Sequence, residues 1–175
     1  MANNSVPVAV VAGTELGFAG VALGDTGIER ATLFHRTADA ACGELRAFGA
    51  IDGDHPRAEE VIDLLRRYAH GESTALASFP VDLHKGTDQQ RRVWLALRDI
   101  PAGETRSYGW LAERVGLGRG GARAVGTING ENPVPLWLPC HRVIASDGTL
   151  GGFAGGLAQK TRLLELEGAL PRRML

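Results

Sequence analysis

Short apolar runs separated by turn residues dominate the start of the chain. The runs cover residues 8–11, 18–23 and 28–34, and glycine-bearing turns at residues 13–15 and 24–27 lie between them. Runs of this length that are rich in β-prone residues and bounded by such turns favour strands that pair with their chain neighbours. The pattern therefore predicts a small antiparallel meander.

Helical periodicity follows the predicted strands. A short helix is predicted at residues 38–48, and a longer one after Pro56, where apolar residues recur at three- and four-residue spacing until Gly71. The residues on this apolar face are Ala58, Val61, Ile62, Leu65 and Tyr68. Residues 72–86 show no long periodicity, so we interpret them as the link between a first domain at residues 1–85 and a second at residues 86–175.

The second half begins with helix signals. Thr87 and Gln90 have the spacing of a capping box, in which each side chain bonds the other residue's backbone amide. The helix that begins at this capping box ends at Pro101 and the glycine at 103. Its apolar stripe consists of Val93, Trp94, Leu97 and Ile100.

Two further short segments have the pattern of a helix-turn-helix. Ser107 can cap a helix at residues 108–115, and the glycines at 116 and 118 break it before a second segment at residues 120–128. Arg119 and Arg123 belong to the second member, which such motifs present to DNA. Helical hairpins are also common in proteins that bind no nucleic acid, so this pattern alone leaves both interpretations open.

The composition is that of a folded globular protein. With 175 residues, 44% hydrophobic and 22% charged, the chain is long enough for one ordinary domain or two small ones. It has no apolar run near the roughly 20 residues of a membrane span and no secretory signal at residues 1–6. Its two cysteines, Cys42 and Cys140, make no disulfide framework and suit a reducing compartment. We therefore expect a cytoplasmic protein with no membrane partner.

The two halves carry opposite net charge. Residues 1–85 contain 7 basic and 12 acidic residues, whereas residues 86–175 contain 12 basic and 8 acidic residues. A basic second half suggests a polyanion as its partner, with a moderate and salt-sensitive affinity. Random partition of surface charge is the competing explanation.

Cys140 is the strongest candidate for chemistry. It lies between Pro139 and His141 at the end of an apolar stretch, behind Asn132-Pro-Val-Pro, where two prolines force the chain to turn. A cysteine is nucleophilic as its thiolate, and a neighbouring imidazole that takes the proton can populate that form near neutral pH. An inert cysteine that fills a core is the competing interpretation.

No other cysteine or histidine suggests a site. Cys42, His35, His55 and His70 have no metal-ligand spacing, so we interpret them as packing or surface residues and expect no metal. Downstream of Cys140, glycines at 148, 151, 152, 155 and 156 form a loop that can approach a flat ligand closely. A last helix is predicted at residues 157–167, with Glu167 at its end.

Five segments of the second half form a recognisable series. They are Arg123-Ala-Val-Gly, Asn132-Pro-Val-Pro, Pro139-Cys-His-Arg-Val, Gly155-Gly-Leu and Leu163-Leu-Glu-Leu-Glu-Gly168. In this order and spacing the chain resembles the O6-alkylguanine-DNA alkyltransferases, also called methylated-DNA-protein-cysteine methyltransferases. The resemblance is dense over residues 86–168 and looser before them.

The resemblance implies an α+β fold of two domains. The N-terminal domain, residues 1–85, would be ribonuclease-H-like, with a small antiparallel sheet and helices. The C-terminal domain, residues 86–175, would be mostly helical and winged-helix-like, with the helix-turn-helix and the active-site cysteine. The implied activity is direct DNA repair, in which the protein flips an alkylated guanine out of duplex DNA and moves the alkyl group from O6 to its own cysteine, once per molecule.

The resemblance also assigns roles to residues. Cys140 would be the nucleophile, His141 would relay its proton through a water, and Glu167 would orient the imidazole and stabilise its charged form. Asn132 would tie the proline turn to the active-site segment. These four residues form the expected catalytic set.

The expected DNA- and base-binding residues lie around this set. Tyr108 would crowd the backbone phosphate and contact the extruded base, while Arg123 would fill the space that the base leaves in the stack. The others are Ser107, Arg119, Val143, Phe153, Ala154 and Gly155. Phe153-Ala154 departs from the usual tyrosine followed by serine or alanine and loses a hydroxyl, and Trp137 replaces a smaller aliphatic residue, which would narrow the pocket.

The expected partner is double-stranded DNA containing O6-alkylguanine, and the sequence leaves open whether O4-alkylthymine is also accepted. We expect a monomer that needs no cofactor. Three other interpretations compete with this one: an alkyltransferase-like protein that only binds damaged DNA, a thiol hydrolase with a Cys-His-Glu site that turns over repeatedly, and a transcriptional regulator that uses the helix-turn-helix alone. The presence of Cys140 argues against the first.

Overall fold

The structure is a computed structural model that describes residues 5–172. The chain divides into two compact units. The first contains the described residues up to His84 together with Pro133–Trp137, and the second contains Lys85–Asn132 and the described residues from Leu138 onward. Small antiparallel strands and several helices make this an α+β fold, as predicted.

A three-stranded sheet forms the base of the first unit. Its strands are β1 (Val8–Thr14), β2 (Gly17–Leu23) and β3 (Ile28–Ala31), paired antiparallel in the order β1-β2-β3. The predicted meander is therefore confirmed. The turn between β1 and β2 is tighter than expected, because the Thr14 hydroxyl donates to Gly17 O at 2.8 Å and Gly17 adopts a φ of 120°.

Two helices pack on this sheet. They are α1 (Ala38–Phe48) and α2 (Ala58–Ala69), and both contact β1. Thr37 caps α1, and α2 buries Val61, Leu65 and Tyr68 as the periodicity predicts. Burying side chains of this size stabilises the unit by about 1.5–3 kcal/mol each.

Pro133–Trp137 belongs to the first unit although it lies late in the sequence. The Ala31 amide donates to Pro133 O at 2.9 Å, and Val134 and Trp137 are almost fully buried. The sequence interpretation assigns all of residues 86–175 to the second domain. The structure differs here because this apolar segment extends the hydrogen bonding of β3.

The second unit is mainly helical. Its helices are α3 (Asp88–Ala96), α4 (Tyr108–Arg114), α5 (Ala122–Gly130) and α6 (Leu157–Leu166). Strands β4 (Arg106–Ser107) and β5 (Val143–Ile144) pair in parallel. The capping box of Thr87 and Gln90 and the Ser107 cap are both present, which confirms the two predicted helix starts.

No helix within residues 5–172 is long and apolar enough to cross a membrane. The cytoplasmic location stays a prediction.

Candidate active site

Cys140 lies in a single 3₁₀ turn, Cys140–Arg142, which directly precedes β5. The turn is held by its backbone, since the Cys140 amide donates to Leu138 O at 2.7 Å and the Arg142 amide to Pro139 O at 3.0 Å. Cys140 is 6% exposed. A turn at this point places Cys140 and His141 in one compact segment, which an extended strand would not do because adjacent side chains point to opposite faces.

Two asparagines support this turn. Asn132 Nδ2 donates to Leu138 O at 2.7 Å, and Asn129 Nδ2 donates to Cys140 O at 3.4 Å. The first bond joins the residues on either side of Pro133–Trp137, and the role of Asn132 in the site stays a prediction. Asn129 was not predicted; it lies on α5, and only the tertiary structure brings it to the cysteine.

His141 is completely buried and pairs with Glu167. Its Nε2 atom lies 2.9 Å from Glu167 Oε1, and both side chains have no exposed surface. A neutral ring that donates Nε2–H to the carboxylate keeps its lone pair on Nδ1. Within residues 5–172 this Nδ1 has no hydrogen-bond partner. The imidazole is thus arranged to accept a proton on the side away from Glu167.

Arg142 completes the cluster and was not among the predicted site residues. Its Nε and Nη2 atoms donate to the two oxygens of Glu167 at 2.8 and 2.9 Å, and Nη1 donates to Ile100 O at 2.7 Å. A guanidinium bound to a carboxylate by two parallel bonds fixes both groups in one orientation. Its place in the Pro-Cys-His-Arg-Val segment is the only sequence signal for it.

Glu167 is therefore an ionised buried carboxylate. Burial opposes its ionisation, but hydrogen bonds from His141 and Arg142 lower its pKa to about 2. A carboxylate that stays charged in this position stabilises the imidazolium that forms when His141 accepts a proton.

The resting state of Cys140 differs from the sequence interpretation, which expects its thiolate near neutral pH. Burial raises the pKa of the Cys140 thiol above its ordinary value. Asn132 and the positive charge of Lys160 act in the opposite direction without cancelling the effect of burial. The neutral thiol is thus the resting form, and ionisation has to accompany proton transfer.

Tyr108 starts α4 and lies close to the glycine-rich loop. Its ring packs against Gly126 and Gly151, where a side chain at position 151 would contact the ring and where φ is 70°. Burial raises the pKa of Tyr108, and ionisation of Cys140 would raise it further, so its hydroxyl stays a donor. Gly151 is thus a position where the backbone conformation favours glycine.

A cavity of about 650 Å³ lies beside Tyr108 in the second unit. Of the predicted residues in the described part of the chain, Ser107, Tyr108 and Arg119 line it, and Cys140 does not. The Ser107 hydroxyl also accepts the Trp110 amide at 3.0 Å as the cap of α4.

The remaining predicted contacts have different environments. Arg123 is exposed on α5, and Arg119 is exposed and pairs with Glu113 at 2.8 Å. Ala154 and Gly155 are exposed and Phe153 is half-buried, whereas Val143 is completely buried. The structure thus leaves the two arginines accessible to a polyanion. The contacts of these residues with DNA stay predictions.

One group in the first unit has the composition of a metal site. Glu29, Asp82 and His84 bring a ligand atom each to within 4.8 Å of one another. Asp82 already accepts bonds from Thr26 and from the backbone and ring of His84. Sequence spacing did not reveal this group, because Glu29 and Asp82 lie on segments that only the fold of the first unit brings together.

The chain matches known proteins over most of its length. The family model described as "6-O-methylguanine DNA methyltransferase, DNA binding domain" matches residues 88–169. The methylated-DNA–protein-cysteine methyltransferase of Mycobacterium tuberculosis is 52% identical over 107 residues, which cover 61% of this chain and 62% of the relative. The matched segment thus spans less than two thirds of that relative.

Solved structures match more of the chain. The crystal structure of Mycobacterium tuberculosis O6-methylguanine methyltransferase has a TM-score of 0.73 and 36% identity, and the match covers 93% of both chains. That of Mycobacterium tuberculosis OGT in complex with DNA has a TM-score of 0.75 and 36% identity over 92% of both chains. The active-site turn, the His141–Glu167 pair and these matches lead to one conclusion: the chain belongs to the 6-O-methylguanine DNA methyltransferase family.

Proposed function

We propose that this chain repairs DNA by moving a methyl or larger alkyl group from O6-alkylguanine in a duplex to the sulfur of Cys140, once per molecule. The observation that carries the proposal is the buried turn in which Cys140 directly precedes an imidazole paired with Glu167 at 2.9 Å. Family membership adds the substrate class. No cofactor enters the reaction.

The residues of the cluster have complementary roles in this reaction. Nδ1 of His141 accepts the Cys140 proton through a bridging water, and ionised Glu167 stabilises the resulting imidazolium. The sulfur then attacks the alkyl carbon in line with O6, so that the S–C bond forms as the C–O6 bond breaks. The bonding electrons stay on the guanine, which takes up a proton. Burial raises the pKa of the Cys140 thiol, so the thiol has to lose its proton to His141 during the reaction and does not ionise beforehand.

The alkylated nucleotide has to leave the base stack to reach a buried sulfur. Rotation of a nucleotide out of the duplex costs a few kcal/mol, and a side chain that occupies the gap offsets part of this cost. Exposed Arg123 on α5 supplies that side chain in our proposal, and Tyr108 contacts the extruded base. The basic surface of residues 86–175 anchors the phosphates.

We extend the proposal to the finer architecture. The first unit would be ribonuclease-H-like and the helices of the second would form a winged helix-turn-helix, with the chain acting as a monomer. O4-alkylthymine is proposed as a secondary substrate, since its alkyl group is also carried on an exocyclic oxygen.

Mass spectrometry tests the proposal directly. The protein is incubated with an excess of duplex DNA that contains one O6-methylguanine. We expect a single methyl group on Cys140 and no more than one molecule of repaired DNA per molecule of protein. Cys42→Ser is the matched control and should accept the methyl group as the parent protein does, whereas Cys140→Ser should not. Repeated turnover would support the thiol hydrolase instead, and binding without transfer would support the binding-only class.

A further inference from the structure

Lys160 is an unusual residue in the second unit because it is a fully buried lysine. It lies on α6 and has no exposed surface. Lysine is almost never fully buried, since removing an ammonium group from water is costly unless the group is bonded. No motif in the sequence marks it as a functional residue.

Two backbone carbonyls bind the ammonium group. Lys160 Nζ donates to Val143 O at 2.7 Å and to Leu150 O at 2.6 Å. Val143 directly follows the turn that contains Cys140, and Leu150 lies within the glycine-rich loop. One side chain thus joins the active-site turn, the loop and the last helix.

The charge of Lys160 has no acidic partner. No carboxylate of residues 5–172 forms an ion pair with its Nζ atom, and the ring of Phe153 lies 5.9 Å away. Burial lowers the pKa of Lys160 to about 8, and a negative charge on Cys140 acts in the opposite direction. Once Cys140 ionises, its sulfur is therefore the negative charge that acts on this ammonium.

Other groups near Cys140 do not provide this interaction. Tyr108 on α4 is neutral, and the positive charge of Arg142 is matched by Glu167. The imidazole of His141 is likewise committed to Glu167. Unlike Arg142 and His141, Lys160 pairs with no carboxylate in the described part of the second unit, and its positive charge favours ionisation of Cys140.

We propose that Lys160 is a positioning residue of the alkyl transfer, whose buried ammonium fastens the segment after Cys140 to α6 and stabilises the thiolate as it forms. This inference rests on the proposed function of Cys140 as the nucleophile. It adds a second electrostatic contribution to that of the His141–Glu167 pair.

The test compares Lys160→Met with Arg162→Met, both in a Cys42→Ser background so that Cys140 is the single thiol. Methionine has a length similar to that of lysine and carries no charge, and Arg162 is an exposed cation two residues further along α6. The measurement is the rate at which iodoacetamide modifies Cys140 as a function of pH, followed by mass spectrometry without DNA. The same variants are then assayed with the O6-methylguanine duplex.

We expect Lys160→Met to shift the pH profile of Cys140 upward by about one pH unit, which makes both reactions about tenfold slower near neutral pH. The rates should recover at high pH, where the thiol ionises without help. Arg162→Met should leave the profile unchanged. The proposal would be overturned if the pH dependence of Cys140 modification in Lys160→Met had the same midpoint as in the parent. It would also be overturned if the variant lowered the rate by the same factor at every pH.

Failure of a variant to fold and failure of the proposed function can be distinguished from failure of this proposal. If Lys160→Met does not fold, Lys160→Gln replaces it, because its amide can still donate to one carbonyl without carrying charge. Failure of both variants to fold would reduce Lys160 to a structural residue and would likewise overturn the proposal. If the parent protein transfers no methyl group from DNA, the proposed function fails, and the iodoacetamide profile shows independently whether Lys160 acts on the sulfur.

Discussion

Arg142 and Arg119 carry the same guanidinium group in two regions of the second unit. Arg142 is 8% exposed and makes three side-chain hydrogen bonds, two to Glu167 and one to Ile100 O. The side chain of Arg119 is 88% exposed and pairs with Glu113. Breaking a buried pair leaves an uncompensated charge, whereas exposed pairs contribute little. The guanidinium of Arg142 is thus fixed in one orientation, whereas that of Arg119 presents its charge to solvent.

The largest effect should come from the carboxylate that both His141 and Arg142 bind. Glu167→Gln keeps the shape but removes the negative charge that stabilises the imidazolium, so methyl transfer should slow by about 10²–10⁴-fold. Single-turnover kinetics with an O6-methylguanine duplex measure this. Glu165→Gln, two residues earlier at the end of α6, should retain the parent rate, and a Glu167→Gln rate equal to that of Glu165→Gln would show that the pair is not part of the reaction.

Arg142→Met tests whether the buried region holds its geometry through the ion pair. Loss of the guanidinium leaves buried Glu167 with only His141, so the free energy of unfolding should fall by about 3–5 kcal/mol. Arg114→Met is the matched control, since Arg114 pairs with Asp99 at the surface and its loss should cost about 0–1 kcal/mol. Urea denaturation compares them, and equal losses would contradict the contrast between the regions.

Acid should act on the same pair. Glu167 has a folded-state pKa of about 2, below its ordinary value of 4.5. Its stabilisation is therefore complete above about pH 4.5 and is lost as the pH falls toward 2, by roughly 3 kcal/mol. Unfolding free energies between pH 5 and pH 2 check this, and Glu167→Gln should flatten the dependence. An equally steep decline in that variant would assign the acid sensitivity to other groups.

The smallest effect on stability is expected at Arg119. Arg119→Met should change the free energy of unfolding by less than about 1 kcal/mol. If Arg119 contacts a phosphate, the variant should bind DNA more weakly on every sequence, with a salt dependence reduced by about one counterion. Affinities across a range of salt concentrations measure this, and an unchanged slope would remove Arg119 from the interface.

Local signals in the sequence predicted the elements well. The Thr87–Gln90 capping box and the Ser107 cap join residues three apart, and the structure contains both. The bounds of α1 follow directly from the periodicity. Such caps join residues within one helical turn, so a short stretch of sequence contains both partners and is enough to predict them.

Only part of the site could be predicted from the sequence. The residues beside Cys140 identified it as a candidate nucleophile, and the resemblance to a known family assigned His141 and Glu167. Nothing local indicated that Arg142 reaches Glu167, 25 residues away, or that Lys160 reaches Val143, 17 residues away. Lys160 lies three and four residues before Leu163 and Leu164, so helical periodicity puts it on the buried face of α6, but no local signal showed which groups would bind its ammonium.

The sequence by itself determined the three strands of the first sheet, the starts of α1, α3 and α4, which half is basic and which cysteine is flanked for chemistry. Only the tertiary structure decided that Pro133–Trp137 joins the first unit, that the Cys140 thiol is protonated at rest, and that one carboxylate serves both a histidine and an arginine. The physical reason is that burial and long-range hydrogen bonds set these properties. Both depend on how distant segments pack and not on the residues beside each group.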